Sequence, residues 1–286
     1  GLTFEVWIKS AMNFTLPLLF LLGQQKAGSS SLWHVLINSG LTHGVAIDAE
    51  PEYAAKETHY FDVHWVKGVD WYRRHWPSSS NVASHSGIAL DGKFYIEATP
   101  NYIHDEGVAK RIAQTYDDYG IDRSKLRFVV VVRSGADRLL SWYNHCAAYG
   151  KASLEHYGGA RGFSTLFMGG LQHHNVTRML EEYLIYFNSD QILILEFSWL
   201  LQHSVAAIQT IMRHMIDKTP ERVIEFPHHN PLDTDGKLAM SDLDCHLVRK
   251  LATHFDSESS SLARLMEANT WSSQQPTGAL KFKSIS

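Results

Sequence analysis

The residues most suited to chemistry lie in the stretch GQQKAGSSS, from Gly23 to Ser31. Gly23 and Gly28 have the separation of the glycines in a nucleotide-binding loop, but serine follows Gly28 and the lysine, Lys26, lies inside the loop. Backbone N–H groups at a helix start bind anions, and Gly28 lets a phosphate approach the backbone closely. The stretch therefore predicts either a site for a terminal phosphate with a second charged group attached, or an ordinary strand–helix turn capped by serine.

A second stretch, RFVVVVRSGADRLLSWY, places an arginine at the carboxyl end of a buried strand. This is Arg133, and Ser141 comes eight residues later on the helix that follows. Ligands of open α/β sheets collect at this end of the strands, and an arginine fork with a hydroxyl suits a phosphate. Each residue also has a plain alternative, an ion pair for Arg133 and a surface serine for Ser141. Together the two stretches indicate a nucleotide that is phosphorylated at two places.

The elements that must position these residues alternate between strands and helices. Apolar runs predict strands at LPLLFLLG, KFYIEA, LRFVVVV and QILILEF, and KETHYF has a short β-like pattern. Capped or amphipathic segments predict helices at SSSLWHVLINSG, VDWYRRHW, DEGVAKRIAQTYDDY, GADRLLSWYNHCAAY and VTRMLEEYLIYF. We therefore expect one α/β domain over residues 1–286, P-loop-like, with a central parallel sheet flanked by helices on both faces. Residues 199–286 are expected to be mostly helical.

Composition sets limits on the function. The chain has 286 residues, 44% apolar and 20% charged, which suits a globular fold with a sizeable core. A formal net charge of −4 does not favour a general nucleic-acid binder, so no nucleic-acid partner is predicted. The longest apolar run, Leu16–Leu22, is too short to span a bilayer. Because the chain begins at Gly1, we expect a membrane contact only through an anchor upstream of it.

Cysteine and histidine usage does not predict a metal site or a disulfide framework. Cys146 and Cys245 could form one disulfide, and the sequence does not decide whether they do. The pairs His173–His174 and His228–His229 lie in polar loop sequence, without the helical spacing or cysteine partners of zinc sites.

Several stretches resemble, in the same order and spacing, sulfotransferases that use 3′-phosphoadenosine 5′-phosphosulfate (PAPS). QQKAGSSSL resembles their 5′-phosphosulfate loop, here residues 23–31, and VVVVRSGADRLLSWY, within residues 126–142, resembles their 3′-phosphate segment. KETHYFD, KGVDWYRRHWP, YIEATPNYI and QILILEFSWLL are similar to segments of the Golgi glycan group. Within that group, the heparan sulfate N-sulfotransferase domain and the 3-O-sulfotransferases are the most similar. The likeness runs from about Leu16 to Leu201.

The resemblance implies how the donor is held. PAPS would be the co-substrate, with no metal required. The loop and helix start would bind its 5′-phosphosulfate through Lys26, Ala27, Gly28, Ser29, Ser30 and Ser31. Lys26 would also stabilise the leaving phosphate, and Arg133 and Ser141 would hold the 3′-phosphate.

The resemblance also assigns Glu57 as the general base, a residue that without the motif is more simply a surface carboxylate. His59, two residues on, would lie on the same side of an extended segment and orient the acceptor or share the proton, with a core histidine as the alternative. Ala98 stands where the glycan group often has a lysine. On the helix of Ser141, we expect Arg138 to be solvated and Trp142 to lie in the core.

The expected function is sulfuryl transfer from PAPS to a hydroxyl or amine of a glycan or another hydroxyl-bearing acceptor. The resemblance places it in the Golgi lumen or secretory pathway, and the sequons at Asn13 and Asn175 agree with that route. The mildly acidic chain does not favour a heparan-like polyanion in particular. Two alternatives remain, a P-loop kinase acting on a small molecule and a catalytically inactive glycan-binding member of the same fold.

Overall fold

The structure is a computed structural model, and it describes residues 13–45, 56–78, 87–89, 92–148, 163, 175–218, 226, 238–269 and 271. The paired histidines at 173–174 and 228–229 lie outside the described residues. Every residue predicted for the donor and base sites lies within them.

A five-stranded parallel sheet forms the centre of the fold. The described strands are β1 (Asn13–Phe14), β2 (Leu19–Gly23), β3 (Thr42–His43), β4 (Pro77–Ser78), β5 (Phe94–Glu97), β6 (Arg127–Val132) and β7 (Ile192–Glu196). The central sheet has the order β3-β5-β2-β6-β7, and β1 pairs with β4 in a separate antiparallel ribbon. The first strand of the sheet, β2, therefore lies in its middle, and the later strands are added on either side of it.

Helices connect and cover these strands. The described helices are α1 (Ser29–Asn38), α2 (Val69–Arg73), α3 (Val108–Asp118), α4 (Gly135–Ala148), α5 (Val176–Tyr186), α6 (Phe197–Gln202), α7 (Ser204–Ile216) and α8 (Cys245–Ala268). Helix α1 packs near β2 and β3, α7 packs on β6 and β7, and α8 contacts α4 and α5. Among the described residues, no helix combines the length and the apolar character needed to cross a membrane.

The apolar runs form strands because both of their faces are covered. Every residue of β2 and of β7 is buried, and β6 is buried from its second residue onward. A strand with two buried faces has no polar side to alternate with, which is the pattern of a parallel sheet covered by helices. The predicted fold class, an α/β fold with a central parallel sheet, is confirmed.

The carboxyl ends of β2, β5 and β6 meet at one edge of the sheet. Leu19 pairs with Ile96 of β5 and with Arg127 of β6, so the three strands run in the same direction side by side. The chain order reverses around β2, and such a switch point is where open α/β sheets bind ligands. Residues that follow these three strands are therefore brought to one place.

The KETHYF stretch does not form the short strand that its pattern predicted. Residues 56–61 run as turns and irregular backbone, and His59 has a φ of 50°, which an extended strand does not allow. Aromatic packing anchors the segment, since Tyr60 stacks on Tyr72 with ring centroids 4.5 Å apart and Phe61 is fully buried. Side-chain packing outweighs local propensity here.

Candidate active site

The loop between β2 and α1, residues 24–28, leads directly into a helix start. Its turn is closed by the backbone N–H of Ala27, which donates to the carbonyl of Gln24 at 3.2 Å. Gly28 has a φ of 80°, and a Cβ at this position would lie 2.6 Å from Cε2 of Phe197, so the position requires glycine. Gly28 supplies no side-chain cap to α1. The first N–H groups of a helix have no partner within it, which makes this end favourable for an anion.

Arg133 reaches this loop from the end of β6. Its Nη1 donates to the carbonyl of Lys26 at 2.9 Å, and its backbone N–H donates to Oε1 of Gln24 at 3.2 Å. The guanidinium lies 5.0 Å from the ring centre of Phe197, and its burial lowers the pKa of Arg133. Among the described residues, no carboxylate forms an ion pair with Arg133. The charges of Asp137 and Glu196 act on the guanidinium without an ion-pair contact, so its donors are open to a ligand.

Lys26 is half-buried inside the loop, with a φ of 64°. Burial is the main cause that lowers the pKa of its ammonium; Cys146 acts in the opposite direction, and the charges of Arg133 and Lys56 lower the pKa further. Lys26 therefore lies within electrostatic range of two other cations, Arg133 and Lys56, and of Cys146 on α4. Because the cations repel one another, the arrangement is stabilised by an anion.

Lys56 and Glu57 come to the start of α1 from a distant part of the sequence. Nζ of Lys56 donates to Oε1 of Glu57 at 2.5 Å and to the hydroxyl of Ser29 at 3.3 Å. The Lys56 side chain is 6% exposed and that of Glu57 is 19% exposed, so the pair lies in a largely enclosed place. The carboxylate of Glu57 is thus next to the predicted donor loop.

His59 connects Glu57 with a second carboxylate. Its Nε2 lies 3.2 Å from Oε2 of Glu57, and its Nδ1 lies 2.8 Å from Oδ2 of Asp62. The hydrogen bond with Asp62, followed by the one with Glu57, raises the pKa of His59 to about 10, so the ring is an imidazolium that donates to both. Burial raises the pKa of Glu57, but His59 and Lys56 together outweigh it and the net pKa is lowered. At neutral pH Glu57 is therefore ionised.

Asn101, which follows β5, joins this cluster to the loop. Its amide nitrogen donates to Oδ2 of Asp62 at 3.0 Å and to Asp105, and its amide oxygen accepts from Nε2 of Gln25 at 3.1 Å. The orientation of His59 is consequently linked, through Asp62 and Asn101, to the position of the β2–α1 loop.

The fully buried carboxyl of Glu97 anchors residues 56–59, the segment that carries Glu57. It accepts from the hydroxyls of Thr58 at 2.5 Å and Thr99 at 2.7 Å, and from Tyr72 at 3.3 Å. Burial is the main cause that raises the pKa of Glu97. Thr58 lies between Lys56 and His59, so Glu97 fixes the backbone that carries both.

The predicted residues fall into two groups. The structure brings Lys26, Ser29, Glu57, His59 and Arg133 together around the start of α1, through the contacts given above. The remaining predicted residues lie on the same loop and helices; Ala27 and Ser31 are buried, and Gly28, Ser30 and Ser141 are half-buried. Their contacts with a ligand stay predictions.

Two expectations for α4 were wrong. Arg138 is 3% exposed, not solvated, and burial lowers its pKa to about 10. It faces the last helix, where the charge of Glu258 acts on it. Trp142 is half-buried and not part of the core. No disulfide joins Cys146 to Cys245.

Four further site residues were not predicted from the sequence. They are Lys56, Asp62, Glu97 and Asn101. Asp62 had a readable signal, because it follows His59 by three residues in a segment that turns. Lys56, Glu97 and Asn101 also bond to Ser29, Thr58 and Gln25, which are 27 to 76 positions away, and such long-range contacts leave no mark in local periodicity.

Comparison with known proteins identifies relatives of this chain. The bifunctional heparan sulfate N-deacetylase/N-sulfotransferase 1 of Xenopus laevis is 24% identical over 230 residues, which cover 74% of this chain and 23% of that protein. The Homo sapiens protein of the same name is 29% identical over 150 residues, which cover 51% of this chain and 14% of that protein. The chain thus spans about a quarter of the length of the first of these relatives.

A solved structure and a family profile extend the comparison. The crystal structure of a sulfotransferase from Alicyclobacillus acidocaldarius matches with a TM-score of 0.61 and 17% identity, covering 88% of this chain and 96% of that one, which supports the fold. The profile described as "Sulfotransferase domain" matches residues 16–274. The family that the motifs indicated is confirmed, and the chain belongs to the sulfotransferase family.

Proposed function

We propose that this site transfers a sulfuryl group from PAPS to a hydroxyl or amine of an acceptor. The observation that carries the proposal is the convergence of Lys26, Lys56 and Arg133 on one helix start, beside the ionised carboxylate of Glu57. The cations suit a donor with several negative charges, and the carboxylate suits a proton acceptor. The two lie next to each other, as transfer between two bound molecules requires.

On the donor side, the residues present fit a nucleotide with phosphates at two positions. The β2–α1 loop and the first turn of α1 would hold the 5′-phosphosulfate, with Lys26 beside the bridging oxygen. Arg133 and Ser141 would hold the 3′-phosphate. PAPS supplies an activated sulfuryl group, and Lys26 stabilises the charge that develops on the phosphate oxygen as the group leaves.

On the acceptor side, Glu57 takes the proton. A general base must be deprotonated before it acts, and the lowered pKa of Glu57 keeps it so at neutral pH. The His59 imidazolium, held by Asp62, fixes the orientation of the Glu57 carboxylate. His59 therefore orients the base, and it is too firmly protonated at neutral pH to remove a proton itself.

The acceptor we favour is a glycan or another hydroxyl-bearing molecule. The relatives are named for heparan sulfate, a glycan. The described residues around Glu57 are not strongly basic, because Asp62 and Asp105 lie in the same hydrogen-bonded cluster, and Ala98 contributes a buried methyl group. These features favour a hydroxyl-bearing acceptor with low negative charge.

We place the protein in the Golgi lumen or secretory pathway on the family resemblance. Of the two sequons, Asn175 is exposed and caps α5 by accepting a hydrogen bond from the N–H of Arg178 at 3.1 Å. An exposed asparagine at a helix start is accessible to glycosylation, and a mass shift after glycosidase treatment would report it.

The geometry does not favour the kinase alternative. Ser29 stands where a Walker lysine would follow Gly28, and Arg133 directly follows β6 where a P-loop kinase has an acidic residue for Mg²⁺. The test is a thermal shift with adenosine 3′,5′-bisphosphate, adenosine 5′-phosphate and ATP, each with and without Mg²⁺.

The outcomes of the thermal shift separate the two functions. At a concentration of about 100 times the dissociation constant, the bisphosphate should stabilise the fold by about 2.7 kcal/mol, a rise in Tm of about 5 °C or more, without metal. The 5′-phosphate should have a smaller effect. Stabilisation by ATP with Mg²⁺ alone would contradict the proposal and support a kinase.

A further inference from the structure

Lys56 holds an unusual position in the site. Its ammonium touches two parts of the machinery at once, the hydroxyl of Ser29 at the start of α1 and the carboxylate of Glu57. The first belongs to the predicted donor site and the second is the predicted base. A group that moves from donor to acceptor must pass between these two points, and Nζ of Lys56 lies within hydrogen-bond distance of both.

The surroundings of Lys56 leave part of its bonding capacity for a ligand. An ammonium has three N–H donors, and among the described residues its hydrogen bonds go to Ser29 and Glu57. The side chain is 6% exposed, so water does not readily solvate the third donor. Burying a lysine this deeply costs free energy, because its charge is removed from water. Charged groups buried at such a cost are common at functional sites.

Among the described residues, Lys56 is the cation that contacts both the start of α1 and Glu57. The main-chain N–H of Ala98 donates to the carbonyl of Lys56 at 3.3 Å, so the neighbouring strand end runs beside Lys56, but it contributes only a methyl group. Arg133 lies on the other side of the loop, against Phe197 and the carbonyl of Lys26. Among the described residues, Lys56 is therefore the cation nearest to Glu57.

We propose that Lys56 is a catalytic residue that binds the oxygens of the sulfuryl group during transfer, in a role separate from that of Lys26. The inference rests on the proposed function. In the transfer, the acceptor oxygen or nitrogen forms a bond to sulfur and gives its proton to Glu57. The bond from sulfur to the bridging oxygen breaks, and its electron pair leaves on the 5′-phosphate of adenosine 3′,5′-bisphosphate.

The Lys56–Glu57 pair links proton transfer from the acceptor to stabilisation of the sulfuryl group. Before transfer, the ammonium neutralises the Glu57 carboxylate across 2.5 Å. When Glu57 accepts the proton, its negative charge disappears. The ammonium then interacts more strongly with the sulfuryl oxygens while the sulfur lies between the leaving phosphate oxygen and the attacking acceptor atom. Lys56 therefore stabilises the transition state more than the starting complex.

The test compares two nucleotides that differ only in the sulfuryl group, PAPS and adenosine 3′,5′-bisphosphate. Calorimetry without acceptor measures both dissociation constants for the wild type and for Lys56→Gln, which keeps hydrogen-bonding capacity without charge. We expect Lys56→Gln to lose about tenfold or more in affinity for PAPS and less than about threefold for the bisphosphate. Lys56→Arg should recover most of the PAPS affinity, and Lys110→Gln, on an exposed part of α3, should change neither.

Each other outcome overturns a defined claim. Equal losses for both nucleotides, or no loss for either together with an unchanged rate of transfer, would show that Lys56 does not contact the sulfuryl group. If Lys56→Gln does not fold, Lys56→Met, which removes the ammonium and keeps the length of the side chain, is measured in the same way, and an unchanged preference for PAPS over the bisphosphate would contradict the role of Lys56. Failure of the wild type to bind the bisphosphate would instead refute the proposed function.

Discussion

Replacing Arg133 with methionine should separate the two phosphate contacts of the donor nucleotide. Methionine keeps the apolar packing of the side chain against Phe197 and removes the guanidinium. We assign that guanidinium to the 3′-phosphate. Adenosine 3′,5′-bisphosphate should therefore lose much more affinity than adenosine 5′-phosphate, which lacks this group.

The magnitude follows from the contacts of Arg133. A hydrogen bond to a charged group contributes about 1.5–3 kcal/mol, and an arginine fork on phosphate lies toward the upper part of that range. The loss of the 2.9 Å hydrogen bond to the carbonyl of Lys26 affects both nucleotides, at a cost of about 1 kcal/mol. We therefore expect the bisphosphate to lose about 30- to 150-fold beyond the roughly fivefold loss that both share.

Isothermal titration calorimetry without metal measures both nucleotides on both proteins. Arg127 offers a matched control, because it lies at the opposite end of the same strand and donates to backbone carbonyls of Ser124 and Leu126. Arg127→Met should leave both affinities unchanged. If Arg133→Met weakened the two nucleotides by the same factor, Arg133 would serve only the loop, and its assignment to the 3′-phosphate would be wrong.

Three further predictions concern the base and the loop. Glu57→Gln should keep bisphosphate binding and lower transfer of ³⁵S from PAPS to glycan acceptors by about 100-fold or more, and retained turnover would remove Glu57 from the mechanism. Gly28→Ala should lower the free energy of unfolding in urea by about 2–4 kcal/mol, because of its φ of 80° and the contact with Phe197; an unchanged midpoint would contradict this strain. The stabilising effect of His59, whose pKa is raised to about 10 chiefly by Asp62, should be fully present below its ordinary pKa of 6.5 and disappear as the pH rises through about 10. Urea unfolding of the wild type and His59→Gln should show this difference shrinking with pH, and a constant difference would refute the paired imidazolium.

The strands and the meeting of the two anion-binding stretches could be predicted from the sequence. LFLLG and RFVVVV are continuous apolar runs, which have one simple interpretation in a covered parallel sheet. Residues that follow such strands meet at the same edge, and Arg133 does contact the backbone of Lys26. The apolar pattern of the strands, and the rule that ligands bind at the carboxyl ends of parallel strands, were sufficient to predict this meeting.

The polar framework of the base could not be predicted in the same way. Glu97 and Lys56 act through side-chain contacts across the fold, and neither residue differs in sequence from an ordinary surface charge. KETHYF has the composition of a strand, but the positive φ of His59 and the burial of Tyr60 and Phe61 determine its path. Arg138 was expected in solvent because its partner helix, α8, lies more than a hundred residues later in the chain.

The central claim is that one pocket holds both phosphates of a doubly phosphorylated adenosine. A crystal structure with adenosine 3′,5′-bisphosphate, grown without divalent metal, tests it most directly. The account predicts the 5′-phosphate at the start of α1, within hydrogen-bond distance of Lys26, and the 3′-phosphate within reach of Arg133 and Ser141. A nucleotide bound elsewhere, or bound here with its 3′-phosphate in solvent and away from Arg133, would contradict it.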